Sequence, residues 1–254
     1  MKSGIKHFAF AKAAESRQAS GTMERRNDNE TAEGTERKPS WIKVRLPNGR
    51  EFWDVKQLVE GKNLFTVCEE AHCPNRYECW NQGTATFMIA GERCTRACGF
   101  CATRTAKPGP LDPEEPQHVA EAVVHMKLRH AVITMVTRDD LPDGGASHFA
   151  KCIDEIRKLT PDVKIEILTP DFKGSKDALD IIIDAHPDVF NHNIEAVREI
   201  FKTARPQGNY DVSIGVLKYV KDNSSIITKS GLMVGLGEDF VQLENTFKDL
   251  THEY

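Results

Sequence analysis

Residues 84–101 read TATFMIAGERCTRACGFC. The first seven, Thr84 to Ala90, are a short apolar run suited to a buried strand. The stretch that follows sets Cys94, Cys98 and Cys101 in a C-x3-C-x2-C pattern. Structural zinc takes four closed ligands, usually offered as C-x2-C pairs, and this loop has no evident fourth partner. A strand that runs straight into three thiols raises two questions: what fold it begins, and what the thiols hold.

Downstream, the pattern alternates. EPQHVAEAVVHMKLR, starting at Glu115, places Val119, Ala122, Val123 and Met126 at helical spacing, and AVITMV from Ala131 is a second strand. ASHFAKCIDEIRKL repeats Phe149, Cys152, Ile153 and Ile156 on one face, KIEIL from Lys164 is a third strand, and SKDALDIIIDA a helix. PDVF is a fourth strand, IEAVREIFKTA and SIGVLKYVK are helices, TKSGLMVG from Thr228 is a fifth strand, and FVQLENTFKDL a last helix. Repeated strand–helix units predict a parallel sheet with right-handed crossovers. A partial (β/α) TIM-like barrel is the expected α/β architecture, carrying an N-terminal cysteine-rich extension. A doubly wound sheet is the alternative, disfavoured because no G-x-G-x-x-G follows the first strand.

Upstream, residues 1–38 are polar and irregular and read as a disordered tail. Residues 39–83 read as an arm, with Trp41, Val44 and Leu46 for packing and the cysteines 68, 73 and 79. The barrel is expected over 84–254. The net charge of −4 suggests no nucleic-acid partner, and no apolar run reaches the roughly 20 residues a membrane-spanning helix needs. The N-terminus lacks a secretory core. Its lysines faintly resemble a transit peptide, but an acidic stretch follows, so the expected location is the cytoplasm. Seven cysteines, an odd number, six of them between residues 68 and 101, suit metal binding better than a disulfide framework.

In a barrel the active site forms at the C-terminal ends of the strands. Those exits read as the Cys94 trio, then TRDDLPDGGA, TPDFKG, NHN and GLGE. The bland reading, that all loops are polar and glycine-rich, stands beside the functional one. An iron–sulfur cubane takes thiolate ligands. Held by three cysteines, it leaves one iron open to an amino acid's amine and carboxylate. That makes S-adenosylmethionine a natural occupant, with Phe100 beside its adenine. Zinc, or nothing, remains the alternative for the trio taken alone.

C-x3-C-x-aromatic-C after the first strand resembles the radical S-adenosylmethionine (SAM) superfamily. Cys68, Cys73 and Cys79 in TVCEEAHCPNRYECW form a second trio, C-x4-C-x5-C. With GTATFMI, VITMVTRDDLPDGGASHFA, PDFKG, VFNHNIEAV and SGLMVGLGE, the chain resembles the lipoyl synthase family over about residues 38–238. The resemblance implies insertion of two sulfur atoms at C6 and C8 of a protein-bound octanoyl-lysine. It implies two 4Fe-4S clusters: one on Cys94, Cys98 and Cys101 that reduces SAM, and an auxiliary one on Cys68, Cys73 and Cys79 that gives up sulfur. The implied partners are octanoylated carrier domains, of 2-oxoacid dehydrogenase acyltransferases or the glycine cleavage carrier protein, and an electron donor such as flavodoxin or ferredoxin.

Further cofactor contacts are expected from Phe100, Asp140, Gly144, Gly145, Gly235, Gly237 and Glu238, and substrate contacts from Asn191, His192 and Asn193. The plainer readings are a structural His192, Asp139 and Asp140 capping the next segment or pairing with Arg138, a solvated Lys173, and a packing role for Cys152. The family's R-S-S-Y motif, whose serine completes the auxiliary cluster, is absent, and the chain stops one helix after the fifth strand. That leaves the fifth strand as an expected open edge. It also leaves room for a different sulfur-inserting enzyme, or a truncated, non-catalytic iron–sulfur homologue that binds a lipoyl carrier domain.

Overall fold

The computed structural model describes residues 50–71, 73–81 and 84–252. The tail expected over 1–38 and the packing positions Trp41, Val44 and Leu46 lie outside the described residues. The chain divides into two units, 1–43 and 44–254, and all described residues fall in the second.

The described chain opens with α1 (Arg50–Gly61), β1 (Phe65–Thr66), α2 (Val67–Glu70) and α3 (Arg76–Asn81). Then come β2 (Thr86–Ile89), β3 (Arg93–Cys94), β4 (Arg104–Thr105), α4 (Glu115–His125), β5 (His130–Met135) and α5 (Ala146–Leu159). The order continues with β6 (Lys164–Leu168), α6 (Lys176–Asp184), β7 (Val189–Asn191), α7 (Arg198–Ala204), α8 (Tyr210–Asn223), β8 (Ile227–Lys229) and α9 (Phe240–His252). The main sheet runs β1-β2-β5-β6-β7-β8. Only β1 is antiparallel; the others form consecutive parallel neighbours, the arrangement of an incomplete barrel.

Register divides the strand faces. Phe87, Ile89, Ile133, Ile165, Ile167 and Phe190 are fully buried under the helices, as expected of a covered parallel sheet. The opposite face carries one aligned layer, Met88, Thr134, Leu168, Asn191 and Lys229. The helices follow from local chemistry. Ser175 caps α6 by accepting from Ala178 N, and Asn209 caps α8 by accepting from Asp211 N and Val212 N. In α5, Phe149, Cys152, Ile153 and Ile156 form the buried stripe, and Arg157 and Lys158 sit in the last turn, where the helix dipole favours cations. The residues around the second trio share this core: Phe52, Trp80 and Leu64 belong to the same buried cluster as the strands.

Two expected elements differ. The helix read from Ile194 begins only at Arg198. Residues 193–195 instead lie against the segment after β8, with Glu195 N bonded to Gly231 O at 3.0 Å and Met233 N to Glu195 O at 2.9 Å. The strand read as Thr228 to Gly235 is regular only over Ile227–Lys229, and pairing resumes as a single bridge between Glu195 and Leu232. Backbone bonding across these segments outweighs the local helical spacing of Ile194, Val197 and Phe201. Among the described residues, β8 is an edge of the sheet.

Candidate functional site

The first trio sits in a loop pinned from several sides. Thr95 donates from both its N–H and its hydroxyl to Thr137 O, at 3.0 and 2.9 Å, and its hydroxyl accepts from Asp139 N. Gly99 N bonds to Ala204 O at 2.9 Å, and Ala97 N to Gln207 Oε1 at 3.2 Å. Arg96, between the first two cysteines, turns inward and is buried. Its guanidinium makes a two-bond fork to Asp139 at 2.7 and 2.9 Å and a second fork to Asp171 at 2.6 and 2.7 Å. Burial alone would push the Asp171 carboxyl up, but Arg96's bonds and charge hold it below the usual range. The C-x3-C loop is thereby tied to the exits of β5 and β6 through one buried cation.

Beneath the loop lies a cavity of about 360 Å³. Cys94, Cys98, Phe100 and Cys101 form one wall. Met88, Thr134, Met135, Val136, Leu168, Thr169 and Pro170 supply strand ends, and His192, Asn193, Glu195 and Arg205 the far side. Val67, Glu70 and Ala71 complete the rim. Burial raises the Cys98 thiol, while the positive charge of Arg205 opposes the rise.

The second trio borders this rim, since Cys68 lies on α2 between the lining residues Val67 and Glu70. Cys73 N bonds to Cys68 O at 3.1 Å, and Cys79 follows on α3. Burial raises the Cys79 thiol, and the nearby Cys68 and Cys73 sulfurs raise it further. Among the described residues, no group of three His, Cys, Asp or Glu side chains closes on a single metal ion. A cubane binds each thiolate at a different iron and so accepts a wider spread. Two separate groups of three thiols, free of disulfides, fit that donor set.

His192 is buried, its Nδ1 2.9 Å from Thr169 O and its Nε2 without a partner. Burial, followed by Arg205, lowers its pKa to about 4, so the ring is neutral. A buried, unsatisfied ring nitrogen on a residue lining the cavity leaves room for a polar group of a bound molecule. Asn193 also lines the cavity. Its side-chain oxygen would lie 2.6 Å from a Cβ at Gly231, so the glycine permits the close approach. Asn191 is buried but not among the lining residues, and its Nδ2 donates to Glu166 Oε1 at 3.4 Å. Glu166 also accepts from Lys229 at 2.7 Å, forming a charged patch below the cavity.

The remaining expected contacts stand further off. Asp140 is engaged by Arg138, whose guanidinium donates to it at 3.0 and 2.9 Å, the plainer of the two readings. Gly144 and Gly145 do not line the cavity; Gly145, at φ 92°, caps α5 and leaves space for Met135, whose Cε would lie 2.4 Å from a Cβ there. Gly235, Gly237 and Glu238 also lie outside the lining, and the Glu238 carboxylate folds back onto Gly235 N and Leu236 N. Lys173 is mostly solvated and Cys152 is buried on α5, as expected. Arg96, Glu195 and Arg205 were not foreseen. Arg96 carried a signal by lying inside the trio, whereas Arg205, in ARPQG, carried none.

Comparison with known proteins now discriminates. Residues 88–250 match the radical SAM superfamily, and residues 2–73 match the N-terminal domain of lipoyl synthase of that family. A lipoyl synthase of Rubrobacter xylanophilus is 54% identical over 218 residues, 85% of this chain and 68% of that one. The chain belongs to the lipoyl synthase family. Lipoyl synthases of Chlorobium chlorochromatii and Alcanivorax borkumensis are 51% and 53% identical, covering 84% and 87% of this chain and 73% and 69% of theirs. Among solved structures, HydG, a maturase of the FeFe-hydrogenase, superposes with a TM-score of 0.52 at 14% identity, covering 79% of this chain and 51% of HydG. Methylornithine synthase gives 0.50 at 13%, covering 66% and 50%. These two likenesses concern the fold, a radical SAM partial barrel. The family's enzyme class is the radical SAM sulfurtransferase, and membership brings a 4Fe-4S cluster and SAM. Among the described residues no helix is long and apolar enough to cross a membrane.

Proposed function

We propose that this chain carries out the lipoyl synthase reaction, inserting two sulfur atoms at C6 and C8 of an octanoyl chain amide-linked to a lysine of a carrier domain. The supporting observation is the placement of Cys94, Cys98 and Cys101 on the wall of a cavity at the strand ends, with the Cys68 trio against its rim. Unactivated carbons give acid–base groups nothing to act on. When bound, a 4Fe-4S cluster with SAM supplies the one-electron cleavage that makes a hydrogen-abstracting carbon radical.

The chain's own residues prepare that chemistry. Cys94, Cys98 and Cys101 hold the first cluster, and the Arg96 forks fix their loop. The apolar strand ends Met88, Val136 and Leu168 exclude water from the reacting centre. Phe100 flanks the nucleotide, and His192 and Asn193 offer polar contacts at the far wall. The roles of Asp140, Gly144, Gly145 and Asn191 are indirect, through Arg138, Phe172, Met135 and Glu166 respectively. Cys68, Cys73 and Cys79 hold the auxiliary sulfur source. The carrier is an octanoylated lipoyl domain, and the electron comes from a small reductant protein such as a flavodoxin or ferredoxin.

Anaerobic reconstitution tests the reading. Iron and sulfide analysis is expected to show two cubanes. Reductant, SAM and an octanoyl-lysine peptide are expected to yield 5'-deoxyadenosine and thiolated peptide. Deoxyadenosine without thiolation would limit the chain to SAM cleavage, and neither product with intact clusters would overturn the assignment.

A further inference from the structure

Arg205 is the one lysine or arginine among the described residues that line the cavity. It follows α7, and its position is tightly fixed. Gly99 N, next to Cys98, bonds to Ala204 O, next to Arg205, at 2.9 Å, so the two segments lie side by side. Arg205 Nη1 donates to Asn193 O at 3.2 Å, the guanidinium stands 5.5 Å from the centre of the Phe201 ring, and Gly208 N returns to Arg205 O at 3.0 Å. Its side chain is only 9% exposed.

Arg96, Asp139 and Asp171 form a contiguous buried charge group, with the solvated Lys173 Nζ 3.7 Å from Asp139 Oδ1. Arg205 Nη2 lies 3.9 Å from Asp171 Oδ2, at the edge of that group. Glu195 lines the same cavity; burial raises its carboxyl and the Arg205 charge opposes the rise. The neighbouring His192 ring is neutral, so it brings no second cation.

We propose that Arg205 is a positioning residue that sets the reduction potential of the cluster held by Cys94, Cys98 and Cys101, through a fixed buried positive charge beside Cys98. This rests on the cluster assignment made above. Three thiolates make a bound cubane anionic, and one-electron reduction makes it more so. A desolvated cation nearby favours the reduced form, as do hydrogen bonds to the sulfurs. Removing Arg205 subtracts that help.

The experiment is a redox titration by electron paramagnetic resonance on the reconstituted full chain without SAM. The signal followed is the one that a separate addition of SAM perturbs, which marks the cluster with an open iron. Arg205→Lys keeps the charge and is expected to stay within about twofold of wild type in the reduction equilibrium. Arg205→Gln and Arg205→Met are expected to disfavour reduction about tenfold, a shift of about 59 mV to lower potential for a one-electron couple. Iron and sulfide content must be unchanged. A potential in Arg205→Gln equal to wild type with the cluster intact overturns the proposal, and so does a fall in Arg205→Lys as large as that in Arg205→Gln. Should Arg205→Met fail to hold iron, the Lys and Gln pair still decides. Wild-type chain that binds no iron overturns both the cluster assignment and this proposal. Intact clusters without peptide thiolation overturn only the activity, and the potential remains measurable.

Discussion

At the scale of single residues, Arg96 does the most to shape the cluster loop. Both its carboxylate partners are less exposed than a surface ion pair, with Asp171 at 3% and Asp139 at 23%. Breaking a buried pair from one side leaves an uncompensated charge, which costs about 3–5 kcal/mol. Arg96→Ala is therefore expected to lose stability of that order in urea unfolding and to reconstitute with less iron. Arg96→Lys keeps the charge but not the double fork and falls between. Gly145 is a second sensitive position. At φ 92° an alanine is strained, and its Cβ would displace the Met135 methyl that lines the cavity. Gly145→Ala is expected to cost about 1–2 kcal/mol in thermal or urea unfolding and to weaken SAM binding, measured by calorimetry. The sequence marked the glycine pair as expected cofactor contacts. The approach of Gly145 to Met135 was not readable there, because the register that brings β5 against the α5 cap is a long-range property.

At the scale of elements, Asp188 ties three of them together. It accepts from Arg157 of α5, from Lys164 at the start of β6, and from Ile165 N. Burial alone would raise its carboxyl, but Lys164, the Ile165 N–H and Arg157 bring it down to about 2. A depressed carboxylate contributes stability above its unfolded pKa of 3.8 that is lost as pH falls towards about 2. The shift corresponds to about 2 kcal/mol. Asp188→Asn is expected to cost about that much in urea unfolding at neutral pH, with the difference from wild type vanishing between about pH 4 and pH 2. Strand and helix bodies were readable from apolar periodicity, and α5 and β6 match their expected spans. The start of α7 was not readable, because residues 193–195 are bonded to a segment nearly forty positions later in the chain, and local spacing carries no trace of that.

At the scale of the molecule, β8 is the edge strand of the sheet among the described residues. Ile227 on it is 65% exposed, and on α9 Phe240 and Phe247 are 90% and 53% exposed. Apolar surface of this kind promotes association. Phe240→Ser with Phe247→Ser is expected to lower light scattering at high protein concentration while shifting unfolding stability by no more than about 0.5 kcal/mol. Unchanged scattering would mean this is not the sticky surface. The sequence by itself determined the strand–helix alternation, the parallel α/β class, the two cysteine trios and the family, because periodicity and spacing are local and survive without coordinates. The tertiary structure alone decided that Arg96 is locked by Asp139 and Asp171, that Asp140 serves Arg138, that the Gly235 to Glu238 loop folds on itself, and that Arg205 stands beside Cys98. The Arg96 and Arg205 placements join residues tens of positions apart, and only packing of the strand ends around one cavity brings those segments together.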